Sequence, residues 1–145
     1  MAIQGPIPVE FGTMFPDGAF AAGGFEMVRD FDRSQGDRVV QQVDKHTGLP
    51  LWVVEVIDAD PEARQRTVKV KVAAQVQPVL PSAAPGSPFT AVEFEGLTAT
   101  PYVDSGRCQG KGKCTARQAY SLKATGVRAP SRPLPRPVPE QKDAA

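Results

Sequence analysis

The chain has 145 residues, 41% of them hydrophobic, with 17 Lys and Arg set against 16 Asp and Glu. That apolar share can close one core and is too high for a wholly disordered chain, while the near-cancelling charge excludes an extreme polyelectrolyte. The 15 Pro and 13 Gly forbid long helices, and no apolar run approaches bilayer-spanning length, so a helical bundle and a helical membrane protein are both excluded.

The opening MAIQGPIPVEFG lacks the basic-then-apolar layout of a signal peptide, and the composition is not that of a secreted disulfide scaffold; the expected location is the cytoplasm. Residues 1–18 read as an irregular arm, rich in Pro and Gly, whose Ile3, Ile7, Val9, Phe11 and Phe15 suit it to packing on the domain. Residues 19–32 form a plausible strand with a bulge at Gly23-Gly24. Two β-rich runs follow, 38–44 and 49–57, separated by Lys45-His46-Thr47-Gly48. Gly48 can supply the positive φ of a tight connection and Asp44 can accept turn amides, which predicts a hairpin.

Asp60-Pro61-Glu62 then carries an N-cap residue, a Pro at the first helical position and an acid in the first turn, enough for one or two helical turns before Thr67. Residues 67–79 alternate, with Val68, Val70, Val72, Ala74 and Val76 on one face and Lys69, Lys71 and Gln75 on the other: a half-buried strand with a partly basic outer face. After the loop PSAAPGSP, residues 89–103 read as a strand with Val92 and Phe94 inward and a bulge at Gly96. The Gly- and Lys-rich segment 105–117 has no large apolar side chain and is expected to be a long mobile hairpin loop. Residues 118–127 form the last strand, and from 129 to 145 the chain is a disordered Pro-rich tail.

The sum is an all-β domain over 19–128, a small barrel of five or six strands with at most one short helix. An OB-type barrel fits better than an SH3-like barrel or a small sandwich.

Divided along the chain, the charge is uneven. Residues 1–104 carry −6, residues 105–136 carry eight cations and no acid, and the last nine residues carry −1. Segregation of this kind points to a polyanionic partner, because Lys and Arg release counterions from phosphates; the plainer reading is a solvated basic loop.

Catalysis finds little support. His46, the only histidine, sits in a turn beside Lys45 with no orienting partner in view, and Asp58, Asp60 and Glu62 are explained by capping. Cys108 and Cys114, spaced C-x5-C, do not complete a four-ligand zinc set; they read as two incidental thiols ahead of a redox pair or a metal shared between subunits, with reactivity raised by Lys111 and Lys113. GRCQGKGKCT fails as a phosphate loop, since Lys111 stands where Gly is required. No catalytic, metal or cofactor site is assigned.

Binding remains. Lys69, Lys71 and Lys123 lie on polar strand faces, Arg107, Lys111, Lys113 and Arg117 arm the long loop, and Tyr102 and Tyr120 are the aromatics placed to stack bases beside them. Trp52, alternating with Val54 and Val56, reads as core.

Three groups of phrases carry a family resemblance: AIQGPIPVEFG with FPDGAF, DKHTGLPLWVVEVIDADPEAR, and PFTAVEFEGLTATPYV with AYSLKATGVRAP. They resemble the plasmid replication, integration and excision activators of actinomycete (Streptomyces-type) integrative conjugative plasmids, over most of residues 1–130. The resemblance implies a DNA-associated regulator that moves an integrated element toward excision, replication and transfer by promoting expression of replication and recombination genes. It brings neither catalytic residues nor a fold with it, and the C-x5-C loop looks like an insertion relative to shorter members. A helix-turn-helix would be the ordinary solution for such an activator, and the sequence offers no pair of helices for one. Two functions are therefore expected: a non-enzymatic DNA-binding accessory protein, preferring single strands if the barrel is OB-like, or an adaptor that docks on a replication initiator, polymerase or recombination protein. A membrane partner is not expected.

Overall fold

The computed structural model describes residues 5–106, 108, 112 and 115–131. Among these the chain is nearly all-β: β1 (Ile7–Pro8), β2 (Ala19–Ala21), β3 (Glu26–Met27), β4 (Leu51–Asp58), β5 (Thr67–Ala73), β6 (Thr90–Glu95), β7 (Thr98–Asp104), β8 (Arg117–Ala124) and β9 (Gly126–Arg128), with one four-residue helix, α1 (Phe11–Met14). No helix among the described residues is long and apolar enough to cross a membrane.

The strands form one curled, open sheet in the order β1-β7-β8-β5-β4-β2-β6-β9, with β3 added to the edge of β4. Its neighbours are antiparallel except for β5 and β8, which run parallel over Val70–Val72 and Leu122–Ala124. The curl has a covalent cause. β6 and β7 lie toward opposite ends of the hydrogen-bonded path yet are joined by only Gly96 and Leu97, so the ends of the half-barrel must come back toward each other.

Period-2 alternation fills the concave side. Val54 and Val56 from β4, Val70 and Val72 from β5 and Val92 from β6 are fully buried, with Leu122 of β8 beside them. Trp52 shares the inward face of β4, packs partly buried against this core, and donates its indole N–H to the Ala74 carbonyl at 3.0 Å. Val92 and Phe94 point inward as their alternation requires. Val76, expected on the same face as Val70 and Val72, is 73% exposed because β5 stops at Ala73.

Among the described residues there are nine strands where five or six were expected. Gly96 and Thr125 each divide a single expected strand in two, the strand expected over 19–32 is interrupted around Gly23-Gly24 into β2 and β3, which both pair with β4, and β1 is a two-residue addition. The long hairpin is also only half there. Residues 38–44 are held by single bridges, Arg29 to Gln41 and Val43 to Pro50, and form no continuous strand. The turn itself is built as its residues dictate: Gly48 has φ 72°, and Asp44 accepts the Thr47 amide and hydroxyl at 3.2 and 2.7 Å.

The helix expected after Asp60 is a turn. Asp60 does cap it, accepting the Glu62 amide at 2.9 Å, but Asp58 already bonds to the Arg66 carbonyl at 2.7 Å, and the loop closes before a helix can propagate. The one helix lies instead in the N-terminal arm. There a single turn stacks Phe11 on Phe15 with ring centroids 5.3 Å apart and brings Phe11 to 6.3 Å from Phe94. Val9 donates to the Leu97 carbonyl at 3.0 Å and Phe15 is buried, which fixes this arm on the sheet.

Gly96 turns β6 into β7 with φ 60°, and a Cβ built there would collide with the Thr125 side chain, whose hydroxyl donates to the Glu95 carbonyl. Gly96→Ala is expected to destabilise the fold by about 2 kcal/mol, from left-handed strain and the displaced Thr125. Urea unfolding should show a lower midpoint at unchanged slope.

Candidate nucleic-acid interface

Strand register decides which of the polar side chains meet. Across β4 and β5, Lys69 pairs with Glu55 and Lys71 with Val53; across β5 and β8, Lys71 stands beside Lys123; across β8 and β7, Ala119 faces Tyr102 and Arg117 faces Asp104. Lys69, Lys71, Lys123, Tyr102 and Arg117 therefore share the outer face of the sheet, and Tyr120 alternates to the inner one with Leu122.

The parallel ladder is short, and this creates the site. N-terminal to Val70 and Leu122, β5 stays with β4 as far as Thr67 while β8 stays with β7 back to Arg117. Two hairpins thus diverge and leave a cleft between them. Its outer mouth, about 380 Å³, is bordered by Lys69, Lys71, Gln65, Tyr102 and Ser121, with Glu55 at one side. A larger mouth of about 750 Å³ opens on the α1 side beside Met14 and is bordered by Arg64, Arg117, Gln118 and Asp104. Val68, Ala119, Leu122 and both tyrosines line the two mouths together. Tyr102 is 50% and Tyr120 54% exposed, and the Gln118 amide donates to the Tyr120 hydroxyl at 3.3 Å.

Of the residues picked out from sequence, the fold brings together Lys69, Lys71, Arg117, Tyr102 and Tyr120 around this cleft. Lys123 is committed elsewhere. Its ammonium lies 2.6 Å from the Asp44 carboxylate, and the two side chains are only 26% and 5% exposed. Arg107, Lys111 and Lys113 lie outside the described residues, as does the tail from residue 132 onward. The sequence reading did not single out Arg64, Gln65 and Gln118. Their signal was a polar stretch at the N-terminal end of each of two strands, visible only once β5 and β8 are known to be neighbours.

Asp44 anchors the turn at 45–48 to the outer face. Burial raises its pKa, but hydrogen bonds from Lys123 and from the Thr47 side chain, the Lys123 charge and the His46 amide outweigh burial and lower it from 3.8 to about 2. A second cation is also paired. Arg128 reaches Glu93 at 3.2 Å and Glu95 at 3.4 Å, and Glu93 further accepts the amide and hydroxyl of Ser131 at 2.8 and 2.9 Å. The Ser131 amide, ahead of the opposing burial, holds the Glu93 carboxyl below its usual range.

Other features identified from sequence have structural roles. Asp58 and Asp60 each accept an amide two residues on, at 2.9 Å. His46 is exposed in its turn. Cys108 takes part in a disulfide, in contrast to the incidental reactive thiol expected of it; Cys114 lies outside the described residues. Among the described residues no group of three or more His, Cys, Asp or Glu is placed to hold a metal ion.

The Asp44 carboxyl titrates lower in the folded protein than in the unfolded chain, so its contribution to stability is fully present above pH ~4 and is lost as pH falls toward about 2. Asp44→Asn is expected to cost about 2–3 kcal/mol at neutral pH by leaving Lys123 half-buried and unpaired. In urea titrations the midpoints of the variant and the natural protein should converge as pH falls through that window.

Comparison of this chain with protein-family models, with curated proteins and with solved structures finds no match.

Proposed function

We propose that this chain is a non-enzymatic DNA-associated accessory protein, binding single-stranded nucleic acid at the cleft where the β4–β5 and β7–β8 hairpins diverge. The observation that carries the reading is the convergence of Lys69, Lys71, Arg64 and Arg117 with two half-exposed tyrosines around one cleft. Cations neutralise phosphates and exposed rings stack bases; together they make the ordinary surface for single strands.

An OB-type reading of the fold supports a binding surface that shares β5 with this cleft. Reduced to its main strands, the sheet is β2, β4, β5, the bent β6–β7 and β8, with β8 inserted beside β5: five strands in a Greek-key arrangement. In that arrangement β4 and β5 correspond to the central strands of an OB sheet. The segment 22–50 corresponds to one of the loops that flank its oligonucleotide face. The biological setting comes from the resemblance to plasmid replication, integration and excision activators: a cytoplasmic protein promoting replication, excision and transfer of an integrative conjugative plasmid, and transcription of its genes.

The adaptor reading draws on a different surface. Met27, Phe31, Val39 and Val43 are exposed within the segment that leads from β3 into β4, and Arg29 lies over the Phe31 ring at 5.7 Å. A replication or recombination protein docking there would leave the cleft unused.

Titration of labelled single- and double-stranded DNA at two salt concentrations separates the two. The DNA reading expects tighter single-strand binding that weakens with salt, and a Lys69→Ala/Lys71→Ala variant whose slope of log affinity against log salt falls by about 1.4, that is about 0.7 per lost contact. Absence of binding to either DNA at low salt would leave the adaptor reading.

A further inference from the structure

We infer that the cleft between β5 and β8 is a pocket for one base of a single-stranded nucleic acid, taken out of the strand's own stack and held against Tyr102 and Tyr120. This rests on the nucleic-acid reading above and adds where the base goes.

The cleft differs from the flat aromatic platform on which single strands usually lie. Val70–Val72 and Leu122–Ala124 close it at one end, and the diverging hairpins hold it open at the other. Val68 and Leu122 give it an apolar floor, and Tyr102 and Tyr120 stand at its rim. Gln65 and Gln118 bring side-chain amides, each carrying both a donor and an acceptor, which is the complement that the polar edge of a base requires. The outer mouth alone, about 380 Å³, is in the size range of sites that enclose small molecules.

Charge selects the occupant. Arg64, Arg117, Lys69 and Lys71 border the mouths against the two acids Glu55 and Asp104, and by register Glu55 faces Lys69 while Asp104 faces Arg117. Asp104 also accepts the Gly106 amide at 3.1 Å. The cationic excess at both mouths favours a polyanion over an extended peptide. Cations lie on both sides of the cleft, so a phosphate chain can remain outside while one base enters. A base paired in a duplex cannot reach the cleft without being flipped out, at the cost of its stacking and pairing, so the geometry selects single strands.

The test compares three probes of equal length: an oligothymidylate, the same phosphate chain made entirely of abasic sites, and a duplex. The natural protein should bind the oligothymidylate roughly tenfold or more tightly than the abasic strand, by the stacking of a base. Ala119→Trp, which fills the cleft from a position lining both mouths, should abolish that preference, while Ala119→Ser retains it. Tyr120→Leu should reduce the same preference and serves if the tryptophan variant does not fold. Equal affinity for oligothymidylate and abasic strand overturns the pocket and leaves the DNA-binding function standing. A preference that survives Ala119→Trp in a folded variant also overturns it, placing the base elsewhere and freeing the cleft for a peptide. Failure of all three probes to bind at low salt removes the proposed function, and the pocket with it.

Discussion

The sheet is joined at one seam. The β4–β5 and β7–β8 hairpins are each held by seven-residue antiparallel ladders, but the only ladder between them is three residues of parallel pairing. Parallel pairing cannot arise from a tight turn, so this contact brings together segments some fifty residues apart, and its closure entropy must be offset by burial of Val70, Val72, Leu122 and Ala124. The same brevity makes the cleft. A longer ladder would have sealed β5 to β8 as far as Arg117, and Lys69, Tyr102 and Tyr120 would border a closed sheet.

Electrostatics reinforces the seam in a way that changes the meaning of the charge segregation. Three cations of the basic block lie in the described region: Arg117, Lys123 and Arg128. Two of them pair with acids from the acidic part of the chain, Lys123 with Asp44 and Arg128 with Glu93 and Glu95. Part of the separation between an acidic first part and a basic later part is therefore complementarity within the fold. Among the described residues, the cations that border the cleft are a smaller set, Arg64, Lys69, Lys71 and Arg117, drawn mostly from before the block.

Local pattern made the main strands legible. Alternation identified β5 and the inward Val92 and Phe94, and the turn chemistry of Asp44 and Gly48 was read correctly although one flank of the hairpin never became a strand. What pattern could not supply was pairing. Nothing in residues 117–124 says that they lie parallel to 67–73, so neither the cleft nor the capture of Lys123 could be seen. The helix was misplaced for a related reason. Capping residues at Asp60 gave a strong local signal, but the β4–β5 connection is closed by the Asp58 amide on the Arg66 carbonyl as a turn, whereas the turn at Phe11–Met14 packs Phe11 between Phe15 and Phe94.

The Asp44–Lys123 pair also acts as a key for alignment. If β8 slid two residues along β5, every side chain would keep its correct face and the apolar pattern would raise no objection. The ammonium, however, would move about 6.6 Å, two strand rises, from its carboxylate, leaving a buried anion without its cation. Hydrophobic alternation chooses which side of β8 faces the core; the ion pair chooses among the registers that satisfy that choice. In this sheet a polar contact supplies uniqueness where burial supplies only cohesion.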